Sequence, residues 1–493
     1  MLIENLSINF PRQRLQALIF FAANRFQSTA GFSALNELIM HSFSFNENRI
    51  LKHKTMSTET RRKVVIIGGG FGGVKTAKML AKANVDITLI DKTNHHLFQP
   101  LLYQVATAAL SPGDIAVPIR GIFSKQNNVK VLMGEVVEVQ ESAKVVRLND
   151  DRLIPFDTLV VACGARYNYF GNGAWEKHAP GLKTVSDALN IRERILLSLE
   201  KADQIDSPEE RQKYLNFVVI GGGPTGVEMA GAIAEIAKRN MMRDYNNFSP
   251  DQTHVYLVEA GPRILNGYDE DLSDKAVGML EELGVEVIQN KPVTHIEAGK
   301  IFLEDGVLES PNIVWAAGVE ANPVIRTLDV ETDRVGRAIV APDMSLPRHR
   351  DIFVIGDAAY AEDDNGKPMP ALAPVAMQQG KYLAKLIKNP TAYDAAEREP
   401  FHYLDKGSMA TIGRARAVAD IRGFKLSGFI AWAMWSVIHI LFLIGFRNRL
   451  HVFVEWMWHY FTYKRGVRLI TQRPTKSETE LDVDEDEAFR KGA

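Results

Sequence analysis

Two glycine-rich segments have the residue types and the spacing that can hold the pyrophosphate of a dinucleotide. Each follows an apolar run and matches the pattern Gly-x-Gly-x-x-Gly, with glycines at Gly68, Gly70 and Gly73 and again at Gly221, Gly223 and Gly226. The first glycine permits a tight turn, the second lets the phosphates approach the backbone, and the third allows the helix to pack on the strand. The phosphates then lie at a helix N-terminus, where free N–H groups and the helix dipole favour anions.

An acidic residue ends the strand that follows each glycine segment. Asp91 has nearly the spacing of about 20 residues that is typical of the acid on a ribose hydroxyl. Glu259 lies further on, and the excess falls in the polar stretch 238–252, which we predict to be an extended helix and loop. An acid there favours NADH over NADPH, since a carboxylate would repel the 2′-phosphate. One such segment could be a simple strand–turn–helix junction, but two copies with two acids indicate two dinucleotide sites.

These segments must be positioned by alternating strands and helices, so the sequence predicts an α/β fold with two Rossmann-like dinucleotide-binding domains. A third apolar run, 352–355, leads into Gly356 and Asp357, and an aspartate at a helix N-terminus can contact the ribitol or pyrophosphate of FAD. Gly-Asp alone is common in turns, but its place far downstream indicates that the chain returns to the first fold. We therefore predict an FAD domain in two parts, 62–175 and 326–424, with an NADH domain, 176–325, inserted between them.

Composition excludes several classes of protein. The chain has 493 residues, of which 46% are hydrophobic and 24% charged, which argues against a disordered or fibrous protein. A net charge of -2 provides no basic field, and we predict no nucleic-acid partner. The single cysteine, Cys163, rules out an intramolecular disulfide and a cysteine-rich metal site. We predict no metal site.

The N-terminal extension, residues 1–61, differs from the rest of the chain. An apolar stretch, 15–23, is flanked by Arg12, Arg14 and Arg25, which is compatible with a transit peptide. The alternative is that translation starts at Met56, because a short polar segment there leads directly into a strand. We favour the second interpretation and predict that residues 1–61 are disordered or untranslated.

The C-terminal region contains an apolar run that can contact a membrane. Residues 429–446 contain no ionisable side chain except His439, and by length the run could span a bilayer. Basic residues flank both ends, so the positive-inside asymmetry is missing, and Trp432, Ser436 and His439 give one face a more polar stripe. We predict membrane-anchoring helices at 425–473 that lie in the interface, with a buried core helix as the alternative. The expected interfacial aromatics and phosphate partners are Trp456, Trp458, Tyr460, Tyr463, Lys464 and Arg465. Residues 474–493 are acidic and are predicted to form a disordered tail.

Taken together, these segments resemble the type II NADH:quinone oxidoreductases, single-subunit respiratory flavoenzymes that do not pump protons. The resemblance runs from about Arg62 to Thr471. Its most specific stretches are HHLFQPLLYQVATAALSPGDIAVPIR, VVACGARYNYFG, WAAGV, GDAA, APVAMQQG and GFRNRL, and their order and spacing argue against a chance match. Neighbouring families that use disulfide chemistry need paired cysteines, and Cys163 is better interpreted as a buried, inert thiol.

The resemblance implies roles for particular residues. FAD would be held by Gly68, Gly70, Gly73, Asp91, Cys163, Gly164, Gly356 and Asp357, and NADH by Gly221, Gly223, Gly226, Glu259, Ala317 and Gly318. Glu228 matches a carboxylate near the nicotinamide and the quinone, although a solvated acid in the first turn of a helix is the alternative. Gln378 matches the second glutamine of the motif AQxAxQ beside the isoalloxazine. Pro374 replaces the first glutamine, so that any hydrogen bond of that side chain must come from elsewhere, with Gln379 as the candidate.

The reaction implied is hydride transfer from NADH to FAD, followed by transfer of two electrons to a membrane quinone. Quinone reduction also takes up protons, and Glu228, Gln378 and Lys425 are candidates for the relay or for quinone positioning. The expected location is peripheral and monotopic, on the cytoplasmic face of the cell inner membrane, and the chain is expected to contact lipid and to be able to pair as a homodimer. Two alternatives are a reductase of a soluble redox protein, which needs a water-compatible C-terminus, and an NADH-sensing flavoprotein, which would tolerate loss of the quinone-side motif.

Overall fold

The computed structural model describes residues 61–240, 244–462 and 467–470, except for the side chains of residues 239 and 240. The predictions for the N-terminal extension before residue 61 lie outside the described residues. The same is true of those for Tyr463, Lys464, Arg465 and the acidic tail.

The first part of the chain contains ten strands and four helices before the second glycine segment is approached. In chain order they are β1 (Arg62–Ile67), α1 (Phe71–Met79), β2 (Val85–Asp91), β3 (His95–Leu97), α2 (Leu102–Ala106), α3 (Pro112–Ile115), β4 (Ala116–Pro118), α4 (Ile119–Ile122), β5 (Val129–Met133), β6 (Val136–Gln140), β7 (Val145–Leu148), β8 (Leu153–Pro155), β9 (Thr158–Val161) and β10 (Ala165–Tyr167).

The next part carries the second glycine segment, between β11 and α7. Its elements are α5 (Val185–Gln204), α6 (Pro208–Leu215), β11 (Asn216–Ile220), α7 (Pro224–Glu235), β12 (His254–Val258), α8 (Glu270–Glu282), β13 (Val285–Ile288), β14 (Val293–Glu297), β15 (Lys300–Leu303), β16 (Gly306–Glu309), β17 (Asn312–Trp315) and β18 (Val319–Ala321). A π-helical turn, Ile236–Asn240, extends α7, in agreement with the predicted helix extension.

The last part returns to the first sheet and then forms the C-terminal helices. Its elements are β19 (Ala338–Ile339), β20 (Ser345–Leu346), β21 (His349–Val354), β22 (Ala359–Tyr360), α9 (Ala373–Lys388), α10 (Pro390–Asp394), β23 (Ser408–Thr411), β24 (Ala417–Ile421), β25 (Phe424–Ser427), α11 (Phe429–Phe442) and α12 (Phe446–Thr462).

Two sheets form the centres of the two dinucleotide folds, and their strands are parallel except for the edge strand β20, which is antiparallel to β21. The first has the strand order β20-β21-β9-β1-β2-β5, and the second has the order β13-β12-β11-β17. β21 pairs in parallel with β9 although the whole second sheet lies between them in the sequence. The second fold is therefore inserted in the first, which confirms the predicted fold class.

Buried strands explain why the glycine segments lie at the sheet edges. β9 is buried along its whole length, and the last four residues of β1 and β11 are buried as well. Such continuous apolar runs are typical of parallel strands covered on both faces. Since each glycine segment directly follows a strand of this kind, both lie at the carboxyl edge of a sheet, where α/β folds bind ligands.

The C-terminal apolar run is divided into two helices. α11 ends at Phe442, and α12 begins at Phe446 after a turn in which Gly445 has a φ of 93°. Within the parts of the chain that the structure describes, no helix combines the length and the apolar character needed to cross a membrane.

The outward face of α11 and α12 is mainly apolar, although Arg447 and His451 of α12 are also exposed. Trp435 and Ser436 are buried against the protein. Ser436 of the predicted polar stripe therefore faces the body of the molecule, and Trp432 and His439 are half-buried. The exposed side chains are Phe429, Ile430, Val437, Leu441, Phe442, Phe446, Leu450, Phe453, Val454, Met457, Trp458 and Phe461.

The predicted interfacial aromatic residues also fall into outward-facing and inward-facing side chains. Trp458 is 58% exposed. Trp456 turns inward and donates its indole N–H to Gln104 Oε1 over 2.8 Å. Tyr460 stacks on Trp432, with 5.7 Å between the ring centroids. Only Trp458 among the described members of the predicted set lies on the outward face, because the helix phase is set by packing against the body.

Candidate active site

The first glycine segment has the geometry of a phosphate loop. Gly68 has a φ of 104°, and a Cβ there would lie 2.3 Å from the carbonyl oxygen of Ala162. A Cβ on Gly73 would lie 1.9 Å from the carbonyl oxygen of Gly68, so helix and strand can only pack with glycine at this position. Gly70, the N-cap of α1, has open space around it. This space at a helix N-terminus fits a pyrophosphate.

Asp91 braces this loop from the end of β2. Its Oδ2 accepts the N–H of Gly69 over 2.6 Å, and its Oδ1 accepts the N–H and the hydroxyl of Thr93, each over 2.7 Å. The carboxylate therefore fixes the loop in addition to lining the site where a ribose was predicted.

The second glycine segment repeats this geometry. Gly221 has a φ of 108°, and a Cβ on Gly226 would lie 1.8 Å from the carbonyl oxygen of Gly221. Gly223, the N-cap of α7, again has open space around it. Glu259 accepts the N–H of Gly222 over 2.6 Å and the N–H of Gly261 over 2.7 Å. The predicted correspondence between Asp91 and Glu259 is thus visible in their hydrogen bonds.

Ala317 and Gly318 lie beside the second glycine segment. A Cβ on Gly221 would come within 2.7 Å of the backbone nitrogen of Ala317. Gly318 has a φ of 71°, and a Cβ there would lie 2.6 Å from the ring of Phe170. Ala317 thus borders the predicted NADH site, and Gly318 permits the turn that follows β17.

A cavity of about 1110 Å³ connects the first glycine segment with the C-terminal helices. Its wall includes residues 68–72, the start of α7 and Glu228. At the far end the wall is formed by side chains of α11, namely Met434, Ile438, His439 and Phe442. One cavity therefore joins the predicted FAD site to the helices predicted to contact the membrane.

Cys163, Gly164, Gly356 and Asp357 all line this cavity. Loss of contact with water raises the pKa of the Cys163 thiol to about 12, which agrees with an inert thiol. Gly356 donates its N–H to Oε1 of the buried Gln379 over 2.7 Å. These residues fit the flavin part of FAD, since they combine a desolvated wall with a carboxylate at the end of β21.

Glu228 is the fifth residue of α7 and lines the cavity. Removal from bulk water raises the pKa of its carboxyl to about 8, while the backbone N–H of Thr411 acts in the opposite direction. Glu228 is half-buried and lies beyond the first turn of α7, which does not support the alternative interpretation as a solvated acid in that turn. At neutral pH the side chain is mainly a neutral acid that faces the cavity.

Of the three predicted catalytic residues, only Glu228 lines the cavity; Gln378 and Lys425 lie outside its wall. Gln378 donates its amide N–H to the carbonyl of Leu404 over 3.0 Å and accepts the N–H of Leu404 over 3.1 Å. Pro374 and Met377 occupy the cavity wall instead. Neither Gln378 nor Gln379 is part of that wall, because α9 is rotated so that Gln379 faces Gly356.

Lys425 lies on β25 and is exposed. Its Nζ is 2.7 Å from Asp269 Oδ1, and this ion pair raises the pKa of Lys425. Asp269 is the N-cap of α8. The prediction that Lys425 takes part in a relay at the quinone is not supported by this position, which is outside the cavity wall.

Sequence reasoning missed His439 and Lys183 as cavity residues. His439 Nδ1 is 2.7 Å from the carbonyl oxygen of Trp435, so Nδ1 must carry the proton of the neutral ring. Burial lowers the pKa of His439 to about 4, and Nε2 is therefore an acceptor. An ionisable residue within an apolar run was the available signal. For Lys183, whose pKa is lowered by burial, the sequence carries no comparable signal.

One group of potential metal ligands exists among the described residues. Ligand atoms of Glu141, Asp329 and His349 lie within 4.8 Å of one another. Glu141 accepts the backbone N–H of Asp329 over 3.2 Å, and Arg348 is 2.8 Å from Asp329 Oδ2. This arrangement is explained by ion pairing, and the absence of a metal stays a prediction.

Comparisons with known proteins decide the family. Residues 62–380 match the model of the pyridine nucleotide-disulphide oxidoreductase family, and residues 406–464 match the NDH2 C-terminal domain. The type II NADH:quinone oxidoreductase Ndh of Mycobacterium tuberculosis is 42% identical, over 87% of this chain and 94% of the relative. The chain belongs to the type II NADH:quinone oxidoreductases.

Two further comparisons agree with this assignment. The mitochondrial internal alternative NAD(P)H-ubiquinone oxidoreductase A1 of Arabidopsis thaliana is 31% identical, over 80% of this chain and 83% of the relative. The solved structure of NDH2 from Plasmodium falciparum in complex with NADH has a TM-score of 0.76 at 22% identity and covers 84% of this chain and 100% of that one. The predicted family, enzyme class and use of FAD and NADH are thereby confirmed. The assignment of individual site residues stays a prediction.

Proposed function

We propose that the chain oxidises NADH and reduces a membrane quinone within the single cavity described above. The overall reaction converts NADH, one proton and a quinone into NAD⁺ and a quinol. One observation carries the proposal: the same cavity is lined by the first glycine segment, by Glu228 and by apolar side chains of α11. A substrate that enters from α11 can therefore reach the wall where a flavin fits.

The two dinucleotides have separate places in this arrangement. FAD would be held by the first glycine segment, Asp91 and Asp357, and when bound it supplies the hydride acceptor and the two-electron donor. NADH would be held by the second segment and Glu259, whose carboxylate is fixed by two backbone N–H groups. The protein itself binds and orients the two dinucleotides and excludes water from the site.

The end of the cavity at α11 fits a quinone. Met434, Ile438 and Phe442 offer apolar contacts for the ring substituents or the tail. Glu228 and His439 supply two polar groups of different kind, since Glu228 is a neutral acid and His439 Nε2 is an acceptor at neutral pH. We assign to Glu228 the donation of a proton to a quinone oxygen, and to His439 Nε2 the acceptance of a hydrogen bond from the quinol hydroxyl that results.

The exposed face of α11 and α12 supports a peripheral contact with lipid. Twelve large apolar side chains are exposed on these two helices, and such a concentration marks an interaction site. Arg447, in the first turn of α12, is exposed and can contact lipid phosphates. We propose that the protein lies on the membrane with this face inserted, and that it does so on the cytoplasmic side of the inner membrane. Pairing as a homodimer is retained as a prediction.

The activity is tested with full-length protein on phospholipid vesicles. NADH oxidation is followed without oxygen, with and without a short-chain quinone, and quinol is quantified. We expect stoichiometric quinol formation. If NADH oxidation is no faster with the quinone than without it, the proposal fails, and transfer to a soluble ferredoxin measured in the same preparation would favour the soluble-reductase alternative.

The membrane contact is tested by the double substitution Phe446→Gln and Trp458→Gln. Burial of a large apolar side chain is worth about 1.5–3 kcal/mol, so the vesicle-bound fraction should fall by roughly tenfold or more. Met133→Gln and Leu153→Gln provide the matched control, because both residues are exposed and apolar but lie away from α11 and α12. Equal release by both pairs of substitutions would contradict the proposed surface.

A further inference from the structure

A second, smaller cavity lies behind α11, on the side away from the main one. Its volume is about 100 Å³, which is room for about three water molecules at roughly 30 Å³ each. It is bordered by α2, α7, β23 and the two C-terminal helices. The residues that line it are Tyr103, Gln104, Thr107, Ala109, Ala232, Glu235, Thr411, Gly413, Arg414, Trp432, Trp435, Ser436, Trp456, His459 and Tyr460.

Charged and titratable groups are concentrated in this wall. Glu235 ends α7, and its Oε1 accepts the backbone N–H of Arg414 over 2.5 Å. The Arg414 guanidinium donates to the carbonyl of Tyr460 over 2.6 Å, and His459 Nε2 is 3.0 Å from the carbonyl of Ala109. A carboxylate, a guanidinium and an imidazole around so small a space are compatible with ordered water and unfavourable for an empty cavity.

Trp435 gives an independent indication of water. Its side chain is 2% exposed and lines the second cavity, and its indole N–H has no acceptor among the described residues. A buried donor without a partner costs on the order of 1–3 kcal/mol, so native proteins satisfy such groups with ordered water. A water molecule in this cavity would accept the hydrogen bond.

Two residues connect the second cavity to the main one. Tyr103 lines both cavities, and its hydroxyl accepts a hydrogen bond from Gln104 over 2.9 Å. Thr411 lines the second cavity, while its backbone N–H contacts the Glu228 carboxyl in the main one. Glu235 lies two helical turns after Glu228, so both carboxyl groups project from the same face of α7.

The proposed reaction needs such a connection. One proton per turnover must come from water, because the hydride of NADH supplies only one of the two hydrogens that appear in the quinol. At the end of the main cavity formed by α11, Met434, Ile438 and Phe442 exchange no protons, and the Nδ1 proton of His439 is donated to the carbonyl of Trp435. Once Glu228 has donated its proton it must regain one, and its contact with Thr411, which lines the second cavity, offers a route from that side.

We propose that the second cavity holds a water cluster that returns a proton to Glu228, with Tyr103 as the shared group between the cavities and Glu235 as the acid that holds the cluster. The proton passes from water at Glu235, through the cluster and Tyr103, to the Glu228 carboxylate, and one proton from solvent replaces it. No bond other than O–H bonds is broken or formed. The inference rests on the proposed reduction of quinone, and it adds the route by which the proton arrives.

The test separates the two half-reactions in full-length protein on vesicles. Without oxygen, stopped-flow absorbance follows reduction of the bound flavin by NADH, and then its reoxidation by a short-chain quinone. Glu235→Gln keeps an acceptor for the Arg414 N–H, and Tyr103→Phe removes the shared hydroxyl. A positioned proton-transfer group contributes on the order of 10² to 10⁴ in rate, so each change should slow reoxidation at least about tenfold. Reduction by NADH should be unchanged.

Three further readouts distinguish a proton route from a structural role. The solvent isotope effect on reoxidation should increase in both variants, and imidazolium added as a small proton donor should restore part of the rate. Glu286→Gln and Tyr256→Phe are the matched controls, since both residues lie on strands of the inserted fold and line neither cavity. A high-resolution crystal structure should show water bonded to the Trp435 indole N–H.

The outcomes are separable. If the unmodified protein reduces no quinone, the proposed function itself fails. If it does, and either variant reoxidises at the unmodified rate, the second cavity is not the route. Slow reoxidation without an isotope effect and without rescue, or a dry second cavity in the crystal, equally overturns the inference.

Discussion

The first glycine segment, between β1 and α1, and the second, between β11 and α7, have almost the same backbone. Gly68 and Gly221 have φ values of 104° and 108°. Their carboxylate partners, Asp91 and Glu259, each accept the N–H of the second residue of the segment over 2.6 Å. Any functional difference between the two segments must therefore come from the residues that surround them.

The surroundings differ in two respects. Gly68 and Asp91 both lie in the cavity wall, whereas neither Gly221 nor Glu259 does. The position seven residues after the first glycine is Lys75 in α1 and Glu228 in α7, and only Glu228 faces the cavity. Of the second segment, Gly223 does reach the wall. We therefore expect the first segment to keep its cofactor and the second to exchange one, while the helix after it supplies an acid. The same local structure acquires different functions from what packs around it.

The largest expected effect comes from a Cβ at the third glycine of either segment. Gly73→Ala and Gly226→Ala each place a Cβ less than 2 Å from a backbone oxygen. Overpacking costs about 1–3 kcal/mol, which corresponds to roughly 5- to 150-fold in dinucleotide affinity. Gly73→Ala should lose FAD, measured as flavin absorbance relative to protein. Gly226→Ala should retain FAD and show a raised KM for NADH.

Gly278→Ala, in an open position on α8, is the control for the added methyl group. The comparison fails if Gly226→Ala loses flavin to the same extent as Gly73→Ala, because the two segments would then not hold separate dinucleotides.

The next effect is that of Glu228→Gln, which removes the acid that only the second helix carries. Loss of a general acid should slow flavin reoxidation by quinone about 100-fold, while reduction by NADH changes little. Since the pKa of Glu228 is about 8, the protonated donor predominates below that pH, and reoxidation in the unmodified protein should fall as the pH rises through 8. The variant should show no such fall. A pH profile of single-turnover reoxidation measures both, and an unchanged inflection in the variant would assign it to another group.

The sequence was sufficient for features set by local pattern. Both glycine segments, their acids and the insertion of the second fold were predicted from spacing and apolar runs, because buried parallel strands and phosphate loops constrain nearby residues strongly. Gly70 and Gly223, predicted to let phosphates approach, are the glycines within the two segments that have open space around them.

Features that depend on packing between distant elements could not be predicted from local sequence patterns. Consecutive residues of a helix differ by 100° in direction, so a rotation of α9 by one position exchanges Gln378 for Gln379 as the residue facing Gly356. The inward turn of Trp435 on α11 depends on contacts with Trp456 of α12. Lys425 lies near α8 through the fold of the β23–β25 sheet, which no local pattern indicates.

A smaller effect tests the acids that end the second strands. Glu259→Gln removes a negative charge while keeping an acceptor for the N–H of Gly222. The ratio of kcat/KM for NADH to that for NADPH should fall by roughly tenfold, because one unfavourable charge contact with the 2′-phosphate is worth about 1.4 kcal/mol. Asp91→Asn should leave this ratio unchanged and weaken FAD binding. An unchanged ratio in Glu259→Gln would show that discrimination lies elsewhere.

The smallest effect is expected from substitution of Lys425. This substitution distinguishes a surface ion pair from a role at the quinone. Its Nζ contacts Asp269 and its side chain is exposed, and an exposed ion pair contributes about 0.2–1 kcal/mol. Lys425→Met should therefore leave both half-reactions within about twofold of the unmodified rates, as should the matched Lys291→Met, which breaks the exposed pair with Asp305. Stopped-flow kinetics at low and high salt measure this. If Lys425→Met alone slowed reoxidation by quinone, the lysine would have to approach the cavity in the working enzyme. The strand that carries Lys425 would then contribute to the quinone site as well as the helix that carries Glu228.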